Sequence, residues 1–423
     1  MSSVTKPIML DETGHLLVEG IARQNLLLTQ MIQNQSQATP VATLNEIHEI
    51  VRAGEAPNVF AIGDQIMLNY NDGTSDYVLP WDIVHFGNYL LQDGETVPGM
   101  VVQSHYAMEG TQFDQNEGFY VVPAGGLSPG TFHFAMGNNW GSNVVKDKVY
   151  EFTTTESYAE GDIWQIGKAN SEISGLPDNA PSTWRIRTYK ASSGVSAAMA
   201  ATPTEILTLA EGTGGTDLGT LSSSTKYGTS GLNNMQRSAY GYNRYSHSAI
   251  RQRLNSAAAA GSWWSPKNPY DRRPDELATQ RGFMAGFDEA FLNIIKPVKV
   301  ITALNTASDT DIGTSEFTYD TFFLPSLEEE YVAPQLANVE GPYWEYWKRR
   351  LGLTSPQAQG SGGTNPAHIR YRYDAKTSSV YVRLRSASRG YASFTWAVSP
   401  AGGAGSGYAA ALAYRPAPAC VIC

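Results

Sequence analysis

The chain is poor in cysteine, with only Cys420 and Cys423 among its 423 residues. This single C-x-x-C pair lacks the second pair, or the neighbouring histidines, that a zinc site requires. We therefore expect neither a metal site nor a bound cofactor. The pattern predicts that Cys420 packs as a small apolar residue in a final strand and that Cys423 lies at a frayed end.

Positive charge and long apolar runs are also scarce. The sequence has 40 acidic against 30 basic residues, a net charge of -10 that gives no attraction to phosphate backbones or anionic lipid surfaces. No apolar run is long enough to span a bilayer, and the first twenty residues lack the basic start and apolar core of a signal peptide. We expect a chain made in the cytoplasm, with no nucleic-acid partner and no membrane insertion.

What is present indicates several domains, beginning with a helical region over 1–56. Its first part carries an apolar stripe at spacings of three, four and seven, formed by Leu17, Ile21, Leu28 and Met31. Thr43 and Glu46 form a capping box that predicts a second helix ending at Gly54. The stripe favours oligomeric attachment. The alternative is two ordinary amphipathic helices that pack on their own domain.

The next regions have strand patterns. Residues 57–126 begin a domain with a hairpin at Asn71-Asp72-Gly73. Residues 127–205 contain the short alternating segments GTFHFAM, KVYEFTTT, DIWQIGKA and TWRIRTYKA, which predict an inserted all-β sandwich. Residues 206–230 are rich in Gly, Ser and Thr and are interpreted as a linker.

Residues 231–423 combine helices with strands. A helix is expected from Ser246 or Ser248 to Gly261. A second helical segment carries Phe283, Phe287 and Phe291. The segments IRYRYDA, SVYVRLRSAS, YASFTWAVSP and YAAALAYRPAPACVI then predict strands.

The segment 386–414 is far simpler than the rest of the chain. Twenty-two of its 29 residues are Ala, Gly, Ser or Tyr, and Lys, Glu, Gln and Met are absent. Tyr offers a large contact area with few rotatable bonds, and Ser and Gly allow close approach, so the composition is typical of a binding surface. The predicted ligand-binding residues are Ser388, Arg389, Tyr391, Ser393, Phe394, Ala397, Ser399, Ser406, Tyr408 and Tyr414.

Two questions about this segment stay open from the sequence. In a strand FTWAV, Phe394 and Trp396 would share one face while Ser393, Thr395 and Ala397 point the other way, but either face could be the exposed one. The alternative interpretation is a Gly/Ala-rich segment that only turns tightly.

The order of motifs resembles one known family. A hairpin with Trp81 is followed by SHSAIRQRLNS, FFLPS, a V-x-L-R-S strand and R-P-A-P-A-C. This order resembles the C-type-lectin-like variable domains of gut bacteriophages, and the opening VTKPIMLDETG looks like the start of structural proteins from such phages. The resemblance implies an α+β fold: a C-type-lectin-like C-terminal domain with an inserted β-sandwich and a short helical N-terminal attachment region.

In that family the final coding segment is rewritten at adenines by diversity-generating retroelements. Randomising the adenines of an AAC codon yields small, aromatic and polar residues but never Lys, Glu, Gln, Met or Trp, which agrees with the composition of 386–414. Trp396 then belongs to the fixed scaffold, together with Leu384, Pro400, Arg415 and Pro416.

The resemblance implies a virion protein and not an enzyme. It would display the variable segment to a host cell-surface protein or glycan, as a homotrimer by analogy, and would bind other virion proteins through its N-terminal region. One alternative is a purely architectural decoration or baseplate protein.

A second alternative is a tail-associated enzyme that degrades glycans with acids such as Asp271, Asp275, Glu276 or Asp288. The sequence pairs no carboxylate with the scattered histidines His85, His105, His133 and His247, and it lacks the calcium motifs of sugar-binding lectins.

Overall fold

A computed structural model describes residues 43–118, 120–135, 148–168, 184–190, 195–198, 204–208, 226–228, 237, 240–268, 270–360 and 363–423. The predicted stripe from Leu17 to Met31 lies outside these residues, as does most of the predicted linker. The described part is an α+β fold in which residues in strands outnumber residues in helices. It includes no helix of the length and apolar character needed to cross a membrane.

The first described helix is α1, Leu44–Arg52. Thr43 and Glu46 form the predicted capping box, which supplies partners to main-chain N–H groups that the first helical turn leaves unpaired. The chain turns away near Gly54, whose φ of 74° is in the left-handed region. This helix is therefore confirmed. A second helix, α2, covers Ala56–Val59.

The main sheet is built from β1 Gln65–Asn71, β2 Asp76–Leu90, β3 Thr96–Ser104, β14 Phe322–Phe323 and β19 Ala419–Ile422. The strands lie in the order β1-β2-β3-β19-β14. The hairpin at Asn71-Asp72-Gly73 is confirmed, because β1 pairs antiparallel with β2 up to Asn71 and Asp76. Cys420 is buried in β19, as predicted.

The prediction of a frayed Cys423 is wrong. Only 7% of this residue is exposed, and its N–H donates to the carbonyl of Ile294 at 3.2 Å. Its carbonyl lies 2.9 Å from Nε2 of His48. These contacts hold the residue beside the main sheet.

Among the described residues from 120 to 228, eight strands form two further sheets. They are β4 Tyr120–Val121, β5 Gly130–Ala135, β6 Lys148–Thr154, β7 Ile163–Lys168, β8 Trp184–Lys190, β9 Val195–Ala198, β10 Thr204–Thr208 and β11 Lys226–Gly228. The orders are β4-β7-β8-β9 and β10-β6-β5-β11. Phe132 of one sheet contacts Trp164 of the other with ring centroids 5.0 Å apart. The four predicted segments are confirmed as strands.

Two predicted boundaries in this region need correction. Strand β4 pairs with β7, so the inserted strands begin at Tyr120, before the predicted boundary at 127. Strand β10 lies partly, and strand β11 wholly, within 206–230, where the sequence predicts a linker. Their pairing with β6 and β5 supplies the main-chain hydrogen bonds that hold them in the sheet.

The helix predicted to end at Gly261 is shorter. It is α3, Ala249–Leu254, with Ser248 as its N-cap. Asn255 ends it, because its side-chain Nδ2 donates to the carbonyls of Arg251 and Phe322 at 3.1 and 2.9 Å. The aromatic segment that follows forms a 3₁₀ turn, Phe283–Gly286, and a short helix α4, Glu289–Leu292.

The remaining elements are β12 Val298–Ala303, β13 Ser315–Asp320, α5 Glu345–Leu351, β15 Val382–Ala387, β16 Phe394–Val398, β17 Ala404–Ala409 and β18 Arg415–Pro416. Strands β12 and β13 pair with each other, and the others form a sheet in the order β17-β16-β15-β18. The strand predicted over IRYRYDA is wrong. That segment folds back on 378–380, with Arg372 N–H donating to the Ser378 carbonyl at 3.0 Å.

The largest cluster of buried apolar side chains packs the main sheet against the helices. It runs from Ile47 to Cys423 but takes no described residue between Phe113 and Tyr245. Trp81 lies within it, with Phe287 and Phe322 against its ring. The two inserted sheets are therefore outside the main core.

Candidate ligand-binding segment

The segment 386–414 spans the end of β15, all of β16 and β17, and the turns between them. Strand β16 lies between β15 and β17 and pairs antiparallel with both. The segment therefore begins in a strand of this sheet and ends in the connection between β17 and β18. Its irregular parts are three connections, 388–393, 399–403 and 410–414.

The predicted binding residues divide into three groups by exposure. Tyr391 is 45% exposed. The half-buried group is Arg389, Ser399, Ser406, Tyr408 and Tyr414. Four predicted residues are buried, and a ligand on this surface cannot contact their side chains: Ser388, Ser393, Phe394 and Ala397.

Burial of both faces of β16 explains this correction. Trp396 and Val398 pack with Leu327, Val332 and Leu384 in a small core cluster. On the other face Thr395 accepts a hydrogen bond from Arg383. All five residues of β16 are buried, so the expected alternation of an exposed and a covered face does not occur.

Three tyrosines form a half-buried cluster beside the strand. Tyr381 stacks on Tyr414 with ring centroids 4.7 Å apart and planes 11° from parallel. Tyr408 makes edge contacts with both rings. Burial, reinforced by Tyr381, raises the pKa of Tyr408 to about 12, so its hydroxyl is neutral and able to donate. Tyr381 lies outside 386–414 and was not predicted.

Arg383 anchors the main chain beneath this cluster. It is fully buried and donates to the carbonyls of Tyr408, Ala409 and Leu412 at 3.2, 3.0 and 2.9 Å. In the described part of the chain no salt bridge to Arg383 is present, and burial lowers its pKa to about 9. The guanidinium is still charged at neutral pH, and its hydrogen bonds to carbonyl oxygens stabilise that charge.

Asn243 holds the other end of the segment in the same way. Its Nδ2 lies 3.3, 2.7 and 2.8 Å from the carbonyl oxygens of Ser388, Tyr391 and Phe394. Its main-chain N–H donates to the carbonyl of Ala392 at 3.0 Å. The turn that carries the exposed Tyr391 is therefore fixed through its backbone.

Arg389 links this turn to the loop between β12 and β13. Its Nη1 donates to the Leu304 carbonyl at 2.9 Å, and its own carbonyl accepts from the N–H and hydroxyl of Thr306 at 2.7 and 2.8 Å. Its side chain is thus partly used in structure, and the exposed Tyr391 ring also contacts the ring of Phe394, with centroids 5.0 Å apart.

A separate acidic group is the one that could hold a metal among the described residues. Ligand atoms of Asp114, Glu117 and Asp271 lie within 4.8 Å of one another. Arg237 donates twice to Glu117 at 2.6 Å. Burial and the Glu117 charge raise the pKa of Asp271 to about 7, and burial raises that of Asp114 well above its ordinary range. The sequence signal was D-x-x-E at 114–117, which the inserted strands separate from Asp271.

The other acids considered for catalysis are hydrogen-bonded to neighbours. Asp275 accepts from Gln115, Glu276 from the N–H of Gln112, and Asp288 from Asn69. The structure also pairs histidines with carboxylates in a way that the sequence did not reveal: His105 lies 2.9 Å from Asp82, His133 2.6 Å from Glu151 and His368 2.9 Å from Glu330.

Comparison with known protein families gives a match to the C-terminal part of the chain. Residues 221–422 match the model of a family described as a domain of unknown function (DUF6273). The match covers just under half of the chain and includes all of 386–414. No curated protein and no solved structure matches the chain.

Proposed function

We propose that the chain is a binding protein that presents the segment 386–414 to a ligand. In this proposal it is a bacteriophage virion protein, trimeric through 1–56, whose C-type-lectin-like domain binds a host cell-surface protein or glycan. The phage assignment, the lectin-like fold and the trimer rest on the resemblance of the motifs.

The distribution of side chains within the segment carries the proposal. Its one strongly exposed aromatic residue is Tyr391, and Tyr408 and Tyr414 are half-buried. Between them the buried positions are largely small, as at Ala392 and Ser393. Large amphipathic rings at the surface over a tightly packed base are what a binding surface needs, because little conformational entropy is lost when a ligand covers them.

Several copies of the binding site on one phage particle would strengthen binding. A single patch of two or three tyrosines is a small contact area, and such sites bind weakly. Presented in several copies, weak sites bind together at a high effective concentration. Binding would then need no catalytic group and no metal.

The test is a triple variant, Tyr391→Ala with Tyr408→Ala and Tyr414→Ala. Phe394 is left intact because it is buried. The purified chain is applied to a glycan array and to a panel of intact gut bacteria, and bound protein is measured by fluorescence. We expect the signals given by the natural chain to fall at least about tenfold in the variant, since each lost aromatic contact costs about 1 kcal/mol or more.

A matched control changes three exposed apolar residues outside the segment: Met67, Val78 and Tyr343, which are 54%, 58% and 39% exposed. Their replacement by Ala should leave binding unchanged. Equal loss in both variants, or no loss in the first, would refute the assignment of the site.

An architectural role is the second candidate, and the burial of Phe394 and of all of β16 favours it. The two functions predict different patterns of sequence variation among related chains. Display predicts that differences between close relatives crowd into 386–414, at exposed positions such as Tyr391. An architectural role predicts that this segment is as constant as β15.

A further inference from the structure

Asn243 is placed to control the shape of the turn 388–394. It is completely buried, and its one amide nitrogen faces three carbonyl oxygens of that turn. A buried amide can be placed with either end toward its neighbours, and only the nitrogen end can donate to carbonyls. Something must therefore set the direction of the Asn243 amide.

Asn305 and Asp309 set that direction. Asn305 Oδ1 accepts the main-chain N–H groups of Ala307 and Ser308 at 3.0 and 2.8 Å, and these groups can only donate. The Nδ2 end of Asn305 must then point the other way, where it donates to Asp309 Oδ2 at 2.7 Å and to Asn243 Oδ1 at 2.9 Å. With its oxygen occupied, Asn243 has only its nitrogen to offer to the turn.

We propose that Asn243 is a positioning residue whose amide, oriented by Asn305 and Asp309, holds the Tyr391 turn by its main chain and leaves its exposed side chain free to differ. Arg383 does the same for 408–412. Carbonyl oxygens are common to all residues, so these bonds survive side-chain substitution in the segment. The role in display rests on the proposed function, but the restraint itself is measured without any ligand.

The test is Asn243→Asp in the full chain, with hydrogen–deuterium exchange of peptides covering 386–398 as the readout. The amides of Ser388 and Tyr391 donate within the turn, to Phe394 and Ser388, and report its order. A carboxylate of the same size presents oxygen to three carbonyl oxygens. We expect exchange in the turn to quicken by about tenfold or more at neutral pH, because the two N–H donors that serve these three carbonyl oxygens are lost.

Acidification provides a readout that loss of packing would not give. A protonated carboxyl regains one O–H donor, so protection of the turn in Asn243→Asp should recover in part as the pH falls, after correction for intrinsic exchange. The natural chain should show no such recovery.

Asn255→Asp is the matched control, because its Nδ2 also donates to two carbonyls, those of Arg251 and Phe322, away from the segment. It should leave exchange in 386–398 unchanged. If Asn243→Asp does not fold, Asn243→Ala removes the donors without adding charge and is measured in the same peptides. Exchange equal to that of the natural chain in a folded variant, or equal loosening of the turn in Asn255→Asp, would overturn the proposal.

Discussion

Arg385 is a residue whose loss should weaken the fold strongly. It lies in β15, is 1% exposed, and donates to the carbonyls of Ile301 and Leu324 at 3.1 and 2.8 Å. It also forms a buried salt bridge to Glu329 and reaches the carbonyl of Glu340. Replacing it by Met preserves much of the apolar stem but leaves the Glu329 carboxylate buried without a cation.

The expected cost follows from that unpaired charge. Removing one partner of a buried ion pair costs about 3–5 kcal/mol, because the remaining charge has lost both water and its counterion. Urea denaturation followed by tryptophan fluorescence should show this loss for Arg385→Met at neutral pH. Arg349→Met, at a side chain 62% exposed that pairs with Glu345 on the surface, should cost about 0.5 kcal/mol or less.

The pH dependence gives an independent check. Burial already raises the pKa of Glu329, and Arg385 opposes that rise. Without Arg385 the folded-state pKa should rise further, so the protonated form is favoured in the folded chain. Protonated Glu329 therefore contributes stability that is fully present below its pKa in the unfolded chain. This stability is lost as the pH rises through its pKa in the folded chain. The cost of Arg385→Met should therefore shrink on acidification. A loss below about 1 kcal/mol, or one independent of pH, would refute the reasoning.

Two further predictions concern the segment and the acidic group. Phe394→Ala should destabilise the fold by about 3–5 kcal/mol, while Tyr391→Ala should cost about 1 kcal/mol or less, because only the first ring is buried; thermal unfolding of the two variants checks this. The raised pKa of Asp271, about 7, means that its protonated form stabilises the folded chain at low pH and that this contribution is lost as the pH rises through about 7. Asp271→Asn, which cannot ionise, should vary less in stability between about pH 5 and pH 8 than the natural chain, as measured by urea denaturation; an equal variation would contradict the assignment.

Features that depend on neighbouring residues could be predicted from the sequence. The capping box of Thr43 and Glu46 and the hairpin at Asn71-Asp72-Gly73 are each complete within a few residues. The strands of the inserted sheets were also visible, since alternation of apolar and polar residues is a local pattern.

Features that depend on residues distant in the sequence could not be predicted from it. The burial of Phe394 depends partly on Tyr240, whose ring centroid lies 5.5 Å from that of Phe394. The two residues are more than 150 positions apart in the sequence. The end of α3 at Asn255 depends on the carbonyl of Phe322. Exposure within 386–414, and with it the choice of binding residues, followed from such contacts and not from the composition of the segment.

The pairing of β3 with β19 affects how the molecule folds. Val102 lies opposite Cys420, so closing this ladder brings together two stretches separated by nearly the whole described chain. Contacts between residues so far apart must first overcome a large loss of chain entropy, which slows the approach to the native state. The main sheet should therefore be among the last parts to form. The inserted sheets, whose strands are closer together in the sequence, should form earlier.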